Sequence, residues 1–280
     1  MTTLLPAYAE LHCLSNFTFL RGASHPEELI ERAAELGYTA LAITDECSLA
    51  GVVRAHIAAQ QHEIKLIIGS EFCLDDGLRL VLLATDRASY GRLAALITLA
   101  RRGSAKGEYH LCREQLAAQN LQGCLALWLP SADPDPEELL FLKTRFPGHC
   151  WIAISLLLDG RDPLPRLQTL AETQHTPLCA TGQVHMHCQS RRALQDTLTA
   201  IRLNCPLSQL GEQLHANGER HLRPRARLAR LYPPALLAET VRIAEQCHFS
   251  LDELRYEYPR ELVPEGQTAH SWLQHLVEEG

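Results

Sequence analysis

Polar side chains with reactive chemistry fall where apolar, strand-like runs end. They are His12 and Ser15 after Tyr8–His12, Asp45 and Glu46 after Ala40–Thr44, Glu71 after Leu66–Ile68, and His185 and His187 after Leu178–Thr181. In a βα barrel the reactive groups sit at these strand ends and in the loops that follow. Carboxylates and imidazoles converging on one rim suit Zn, Mn or Fe and a metal-activated water for phosphoester hydrolysis. A single polar residue at a strand end is more often a cap or a surface group, so the set carries this expectation and no member does. His110, His149, His215, His221, His248, His270 and His275 have no such placement and read as surface histidines. No GxxxxGK[ST], GxGxxG or GxSxG occurs, so nucleotide-loop and serine-hydrolase readings lose their usual support.

To bring those residues together, the chain must place its strands side by side. Tyr8–His12, Ala40–Thr44, Leu66–Ile68, Leu80–Ala84, Cys124–Leu129, Cys150–Leu156 and Leu178–Thr181 are the strand candidates, and their number suits an α/β barrel better than an open nucleotide-binding sheet. Helical patterns fill the gaps at Leu49–His62, Arg87–Arg102, Glu137–Phe146, Leu164–Thr173 and Arg191–Arg202. Ser24-His25-Pro26-Glu27 reads as a capping box opening an earlier helix that Gly37 closes. The barrel is expected over residues 1–205, and a helical and extended connector over 206–280. Within the connector, Arg225–Leu231 and Pro234–Cys247 read as helices and Leu254–Pro259 as an extended stretch. Ser271–Gly280 looks like a helix just begun, as if more chain were to follow.

Composition narrows the function classes. With 280 residues, 46% apolar and 21% charged, the chain can bury a large core. No apolar run is long enough for a membrane helix and the start lacks a secretory pattern, which leads to the expectation of a cytoplasmic protein. Ten scattered cysteines without a CxxC pair read as reduced, mostly buried thiols. A net charge of −7 argues against gripping nucleic acid with the whole surface. The dense basic stretch Arg220–Arg227 reads as a solvated helix face, with a local, salt-sensitive DNA contact as the alternative.

Four segments carry a family resemblance. Glu10–Gly22 resembles the first motif of the PHP (polymerase and histidinol phosphatase) domains of bacterial C-family DNA polymerases, Gly37–Gly51 the second, and Lys65–Phe72 the third. Ala180–Gln195 is similar to the late motif in the form found in the error-prone, ImuC-type branch. The resemblance implies a seven-stranded, distorted TIM-like (β/α)7 barrel ahead of a polymerase palm, with a multi-metal cluster on its rim in active members. Carried over by position, His12, Asp45, Glu71 and His185 are retained ligand positions. Leu14, Glu46 and Arg79 stand where histidines are usual, Pro130 where a cysteine is, and Gln183 where an aspartate is. Leucine, proline and arginine cannot ligate a metal, so no occupied metal site and no cofactor is expected in this domain.

On the same resemblance, the parent would be an error-prone DNA polymerase of damage-induced (SOS) mutagenesis and translesion synthesis, with Mg in its palm. Its implied partners are DNA, the sliding clamp and other mutagenesis proteins, with no membrane. The domain itself would be a silent scaffold. The alternatives are a metal-dependent phosphoesterase or 3′–5′ exonuclease using His12, Asp45, Glu71 and His185, and a recruitment module. Arg79 allows a sharper expectation: its guanidinium could replace lost metal charge by pairing with Asp45, Glu46 or Glu71, or it could point to solvent from an edge strand. On the first reading Arg79→Ala costs on the order of 3–5 kcal/mol, on the second about 0–1 kcal/mol.

Overall fold

The computed structural model describes residues 5–254, 263–264 and 266–279. Seven strands form one sheet in simple sequence order: β1 (Ala9–Glu10), β2 (Ala40–Ile43), β3 (Lys65–Cys73), β4 (Arg79–Ala84), β5 (Cys124–Trp128), β6 (Cys150–Ile154) and β7 (Leu178–Ala180). The helices are α1 (Pro26–Glu35), α2 (Val52–Gln61), α3 (Arg87–Arg102), α4 (Arg113–Ala118), α5 (Pro136–Arg145), α6 (Leu164–Gln174), α7 (Arg192–Leu203), α8 (Arg225–Leu231), α9 (Pro234–Gln246) and α10 (Ala269–Glu279). Each strand expected from the sequence is present, and the short α4 is an addition. The extended stretch expected at Leu254–Pro259 lies, beyond its first residue, outside the described residues. No described helix is long and apolar enough to cross a membrane.

The sheet curls so that the segments following its first and last strands meet at the rim. There, Leu14 N–H donates to the Val184 carbonyl (2.8 Å) and Val184 N–H to the His12 carbonyl (3.0 Å). Glu10 stitches the same seam: its buried carboxylate accepts from Tyr8 Oη (2.8 Å), His12 N (3.0 Å) and Gly182 N (2.9 Å). Glycine at 182 leaves room for this carboxylate, since a Cβ there would stand 2.4 Å from Glu10 Oε2 and push it aside.

Strand alternation sorts the apolar side chains into two cores. One set, including Ala9, Leu11, Ala42, Ile67, Val81, Leu127 and Cys179, fills the barrel interior; the other, including Leu41, Leu82, Trp128 and Ile152, packs outward with helix residues such as Leu29, Leu93 and Leu139. The floor comes from α9, whose Ile243 and Ala244, with the following Cys247, join the interior set. Thr240 Oγ1 there accepts from Ala9 N–H (3.1 Å), and Lys65 Nζ donates to the Ala244 carbonyl (2.7 Å). All ten cysteines are free thiols; Cys13, Cys47, Cys124, Cys150, Cys179 and Cys247 are buried.

The sheet departs from a wholly parallel barrel at one strand. A tight turn with Gly77 at φ +94° joins β3 directly to β4, which runs antiparallel to both β3 and β5. Reversal puts the first residue of β4, rather than its last, on the rim where the parallel strands end. Arg79 therefore reaches the rim from a central strand, and the edge-strand placement does not hold.

Candidate site at the barrel rim

Glu71 is the centre of the rim. It lies at the interior-facing parity of β3, opposite Val81, so Arg79 is its diagonal cross-strand neighbour. Arg79 Nη2 donates to Glu71 Oε1 at 2.8 Å. His12 Nε2 meets Glu71 Oε2 at 2.6 Å, with both side chains fully buried. A second guanidinium, from Arg21, donates to Glu71 Oε1 (3.2 Å) and pairs with Glu46 Oε2. Burial alone would raise the Glu71 carboxyl, but the His12 hydrogen bond and the charges of Arg21 and Arg79 outweigh it and hold the group well below the usual carboxylate range.

The loop between β1 and α1 is built to present Arg21. Arg21 N–H and Gly22 N–H both donate to the Thr18 carbonyl (3.0 and 3.1 Å), and Asn16 N–H donates to the Ser24 carbonyl (2.8 Å). A side chain at Gly22 is impossible without rebuilding the turn, since a Cβ would lie 1.9 Å from the Ser15 carbonyl oxygen. Asp45 anchors this loop from β2. Its Oδ1 accepts from Ser15 N–H (2.8 Å) and Thr18 Oγ1 (2.7 Å), and its Oδ2 from Ser15 Oγ (2.7 Å). Burial raises the Asp45 carboxyl and those hydrogen bonds pull it only part of the way back.

The residues expected on the rim thus separate by task. His12 and Glu71 touch each other, Asp45 holds a loop, and Glu46 is engaged by Arg21 and by Tyr109 Oη (2.9 Å). His187 turns away to Ser24 Oγ (2.8 Å), which removes Ser24 from the cap of α1: the N-cap is His25, and Glu28 reaches back to its amide at 2.9 Å. His185 is 4% exposed and neither ring nitrogen has a hydrogen-bond partner. Leu14 is buried in the closing seam, and Pro130 and Gln183 line an adjoining cleft of about 540 Å³.

A multi-metal cluster does not fit these residues. Two guanidinium groups lie against Glu71, both oxygens of Asp45 are taken by the loop, and among the described residues no group of three or more His, Cys, Asp or Glu side chains is placed to hold an ion. Sequence reading placed Arg79 correctly but missed Arg21, although it stands in the quoted segment one residue before Gly22. It also placed two histidines wrongly. His221 is 7% exposed, its Nδ1–H donating to the Gly218 carbonyl (2.7 Å), and His215 packs edge-on against His185 with ring centroids 5.2 Å apart. Burial, then the charge of Arg220, pushes His215 down to about 3.

The geometry sets the size of the Arg79 contribution. Its side chain is 33% exposed and Glu71 keeps Arg21 and His12 when it is gone, so Arg79→Ala should cost about 1–2 kcal/mol, between the surface and the fully buried case. Urea denaturation of Arg79→Ala at pH 8 measures it; a loss under about 0.5 kcal/mol would mean that Arg79 is dispensable to the rim.

The PHP domain family matches residues 10–145. The chain is 61% identical over 275 residues to an error-prone DNA polymerase of Methylococcus capsulatus, and 57% identical over 282 residues to one of Dechloromonas aromatica. Those alignments cover 98% and 99% of this chain but only 26% and 28% of the relatives, so the chain spans about a quarter of their length. Among solved structures, an amidohydrolase from Chromobacterium violaceum shares the fold at TM-score 0.51 and 16% identity, over 64% of this chain and 88% of that one.

Proposed function

We propose that the chain is the PHP region of an error-prone DNA polymerase and serves there as a metal-free scaffold; the PHP family match over residues 10–145 and the similarity to about a quarter of the length of such polymerases support this. The barrel expected over residues 1–205 supplies the scaffold together with α8 and α9 of the expected connector, which pack onto it, and the remainder of 206–280 leads toward the catalytic palm. In this reading the whole protein is a cytoplasmic enzyme that copies DNA across damage during induced mutagenesis. Its Mg sits in that palm, and the sliding clamp and other mutagenesis proteins are partners of the whole. The observation that carries the scaffold reading is the pairing of Arg21 and Arg79 with Glu71, which puts fixed cations where ions would otherwise be needed.

One observation favours a second reading, a phosphoesterase or 3′–5′ exonuclease with a reduced metal set. His12 Nδ1 and both ring nitrogens of His185 are buried without partners, as unmetallated ligands would be. The two readings differ in outcome. The 280-residue chain should neither extend a primer, since nucleotide addition needs two metals on palm carboxylates, nor hydrolyse p-nitrophenyl phosphate or DNA 3′-ends with Mn, Zn or Mg added. Metal analysis of protein purified without chelators should find less than stoichiometric metal. Metal-dependent turnover abolished by His12→Ala and by Glu71→Ala would replace the scaffold with the hydrolase.

A further inference from the structure

The rim holds more positive charge than its carboxylates use. Beside the Glu71 cluster lies a cavity of about 200 Å³ whose lining includes Arg21, Arg79, Arg202 and Arg220 and no aspartate or glutamate. Arg21 and Arg79 are matched by Glu71 and Glu46, but Arg220 has no carboxylate within ion-pair distance among the described residues, and its buried Nη1 lacks a hydrogen-bond partner. His185 faces the same space with both nitrogens unpartnered and only 4% exposure. Buried donors are nearly always satisfied, and an unmatched guanidinium in a confined space is costly unless an anion completes it.

We propose that this cavity is a metal-free binding site for a phosphoryl group, held by Arg220 and Arg79 with a ring N–H of His185. A guanidinium presents paired donors that match the oxygens of phosphate, and two of them with a neutral imidazole make a donor set for a tetrahedral dianion. Carboxylates are excluded from the immediate lining, which favours a multiply charged anion over a neutral ligand. Arg79, Gln183 and Arg220 also line the 540 Å³ cleft, so a phosphoryl group seated between them leaves room there for whatever it is attached to. That cleft is also lined by Asp159 and Asp162, of which Asp159 is engaged by Arg161 (3.2 Å). The site does not depend on the polymerase reading, because it rests on the side chains alone.

Calorimetric titration with EDTA present, at constant ionic strength, tests the site. The probes are inorganic phosphate, inorganic pyrophosphate, and an oligonucleotide with and without a 5′-phosphate. At least one phosphoryl probe should bind saturably where chloride and the unphosphorylated oligonucleotide do not. Tighter binding of a free anion would make the source a small molecule, and tighter binding of the phosphorylated oligonucleotide would make it a strand end. Arg220→Gln should weaken binding at least tenfold. If that variant does not fold, Arg202→Gln at the exposed mouth should still weaken it severalfold. The proposal fails if the wild-type protein binds no phosphoryl probe, if binding disappears with EDTA, or if a folded Arg220→Gln protein binds within twofold of wild type.

Discussion

Removing Arg21 and Arg79 together is expected to cost the fold on the order of 3–5 kcal/mol at pH 8, more than the two single losses added. Each single variant leaves Glu71 one guanidinium, whereas the double variant leaves a fully buried carboxylate with His12 as its only partner. Burial is the largest influence on this carboxyl and acts to raise it; the hydrogen bond and charge of His12 oppose it and stay in the double variant, while the opposing charges of Arg21 and Arg79 are lost, so the group is held ionised less firmly. The direction with pH follows. In the wild-type protein the folded value lies below the unfolded one of about 4.3, so ionisation of Glu71 contributes stability that is present above the unfolded value and lost as pH falls through the folded one.

In the double variant the folded value moves up, so the stability that ionised Glu71 contributes above the unfolded value shrinks. The gap between the two proteins is therefore widest at pH 8 and narrows on acidification as the variant's Glu71 takes up a proton. Urea melts of wild type, both single variants and the double variant at pH 8 and pH 5 give the four corners of a cycle. A double-variant loss below about 1 kcal/mol at pH 8 would show that the arginines only decorate the rim. A loss equal at both pH values would show that packing, not the carboxylate, was removed.

Strands and helices were legible because alternating and 3.6-residue apolar patterns report burial directly. The antiparallel insertion of β4 was less so, since a strand's pattern is the same in either direction; only the short Leu74–Leu78 turn, with no room for a helix, betrays it. Arg79 was readable as a rim residue only through the family resemblance, which sets it at a ligand position; its strand parity with Val81 and Leu83 on the interior face agrees with that placement. Arg21 was not, because it lies in a loop without periodicity whose shape is set by Gly22, Thr18 and the distant Asp45. His215 and Arg220 come from the segment after α7, where no pattern signals that the chain folds back over the rim. The same segment misled the reading of Arg220–Arg227, because a run of arginines looks solvated when nothing in the sequence reveals the carbonyls waiting for it.

Arg223 shows how far that run is from a solvated face, and its removal should be as damaging as the double rim variant. Its side chain is 1% exposed; Nη1 donates to the Leu156 carbonyl (2.8 Å) and Nη2 to Tyr232 Oη (3.2 Å), with the guanidinium 5.7 Å from the Tyr232 ring centroid. Tyr232 Oη in turn donates to the Thr181 carbonyl (2.9 Å) and accepts from Leu156 N–H (2.9 Å), so one arginine and one tyrosine tie the ends of β6 and β7 to α8. Arg225 is similarly spent on the carbonyls of Leu36 (3.1 Å) and Pro6 (3.4 Å). Arg223→Ala would leave a buried carbonyl unmatched, remove a partner of Glu219, and open a cavity, for a combined loss on the order of 3–5 kcal/mol. Arg227, whose side chain is 41% exposed, should cost about 0–1 kcal/mol when replaced by alanine, although it too contacts Glu219. Charge reversal at Arg223 would unfold the barrel before it reported on any contact with DNA, so loss of DNA binding in Arg223→Glu is no evidence of an interface. Guanidinium denaturation of Arg223→Ala and Arg227→Ala decides the matter: equal, small losses would mean that Arg223 is the solvated residue its neighbours in sequence made it seem.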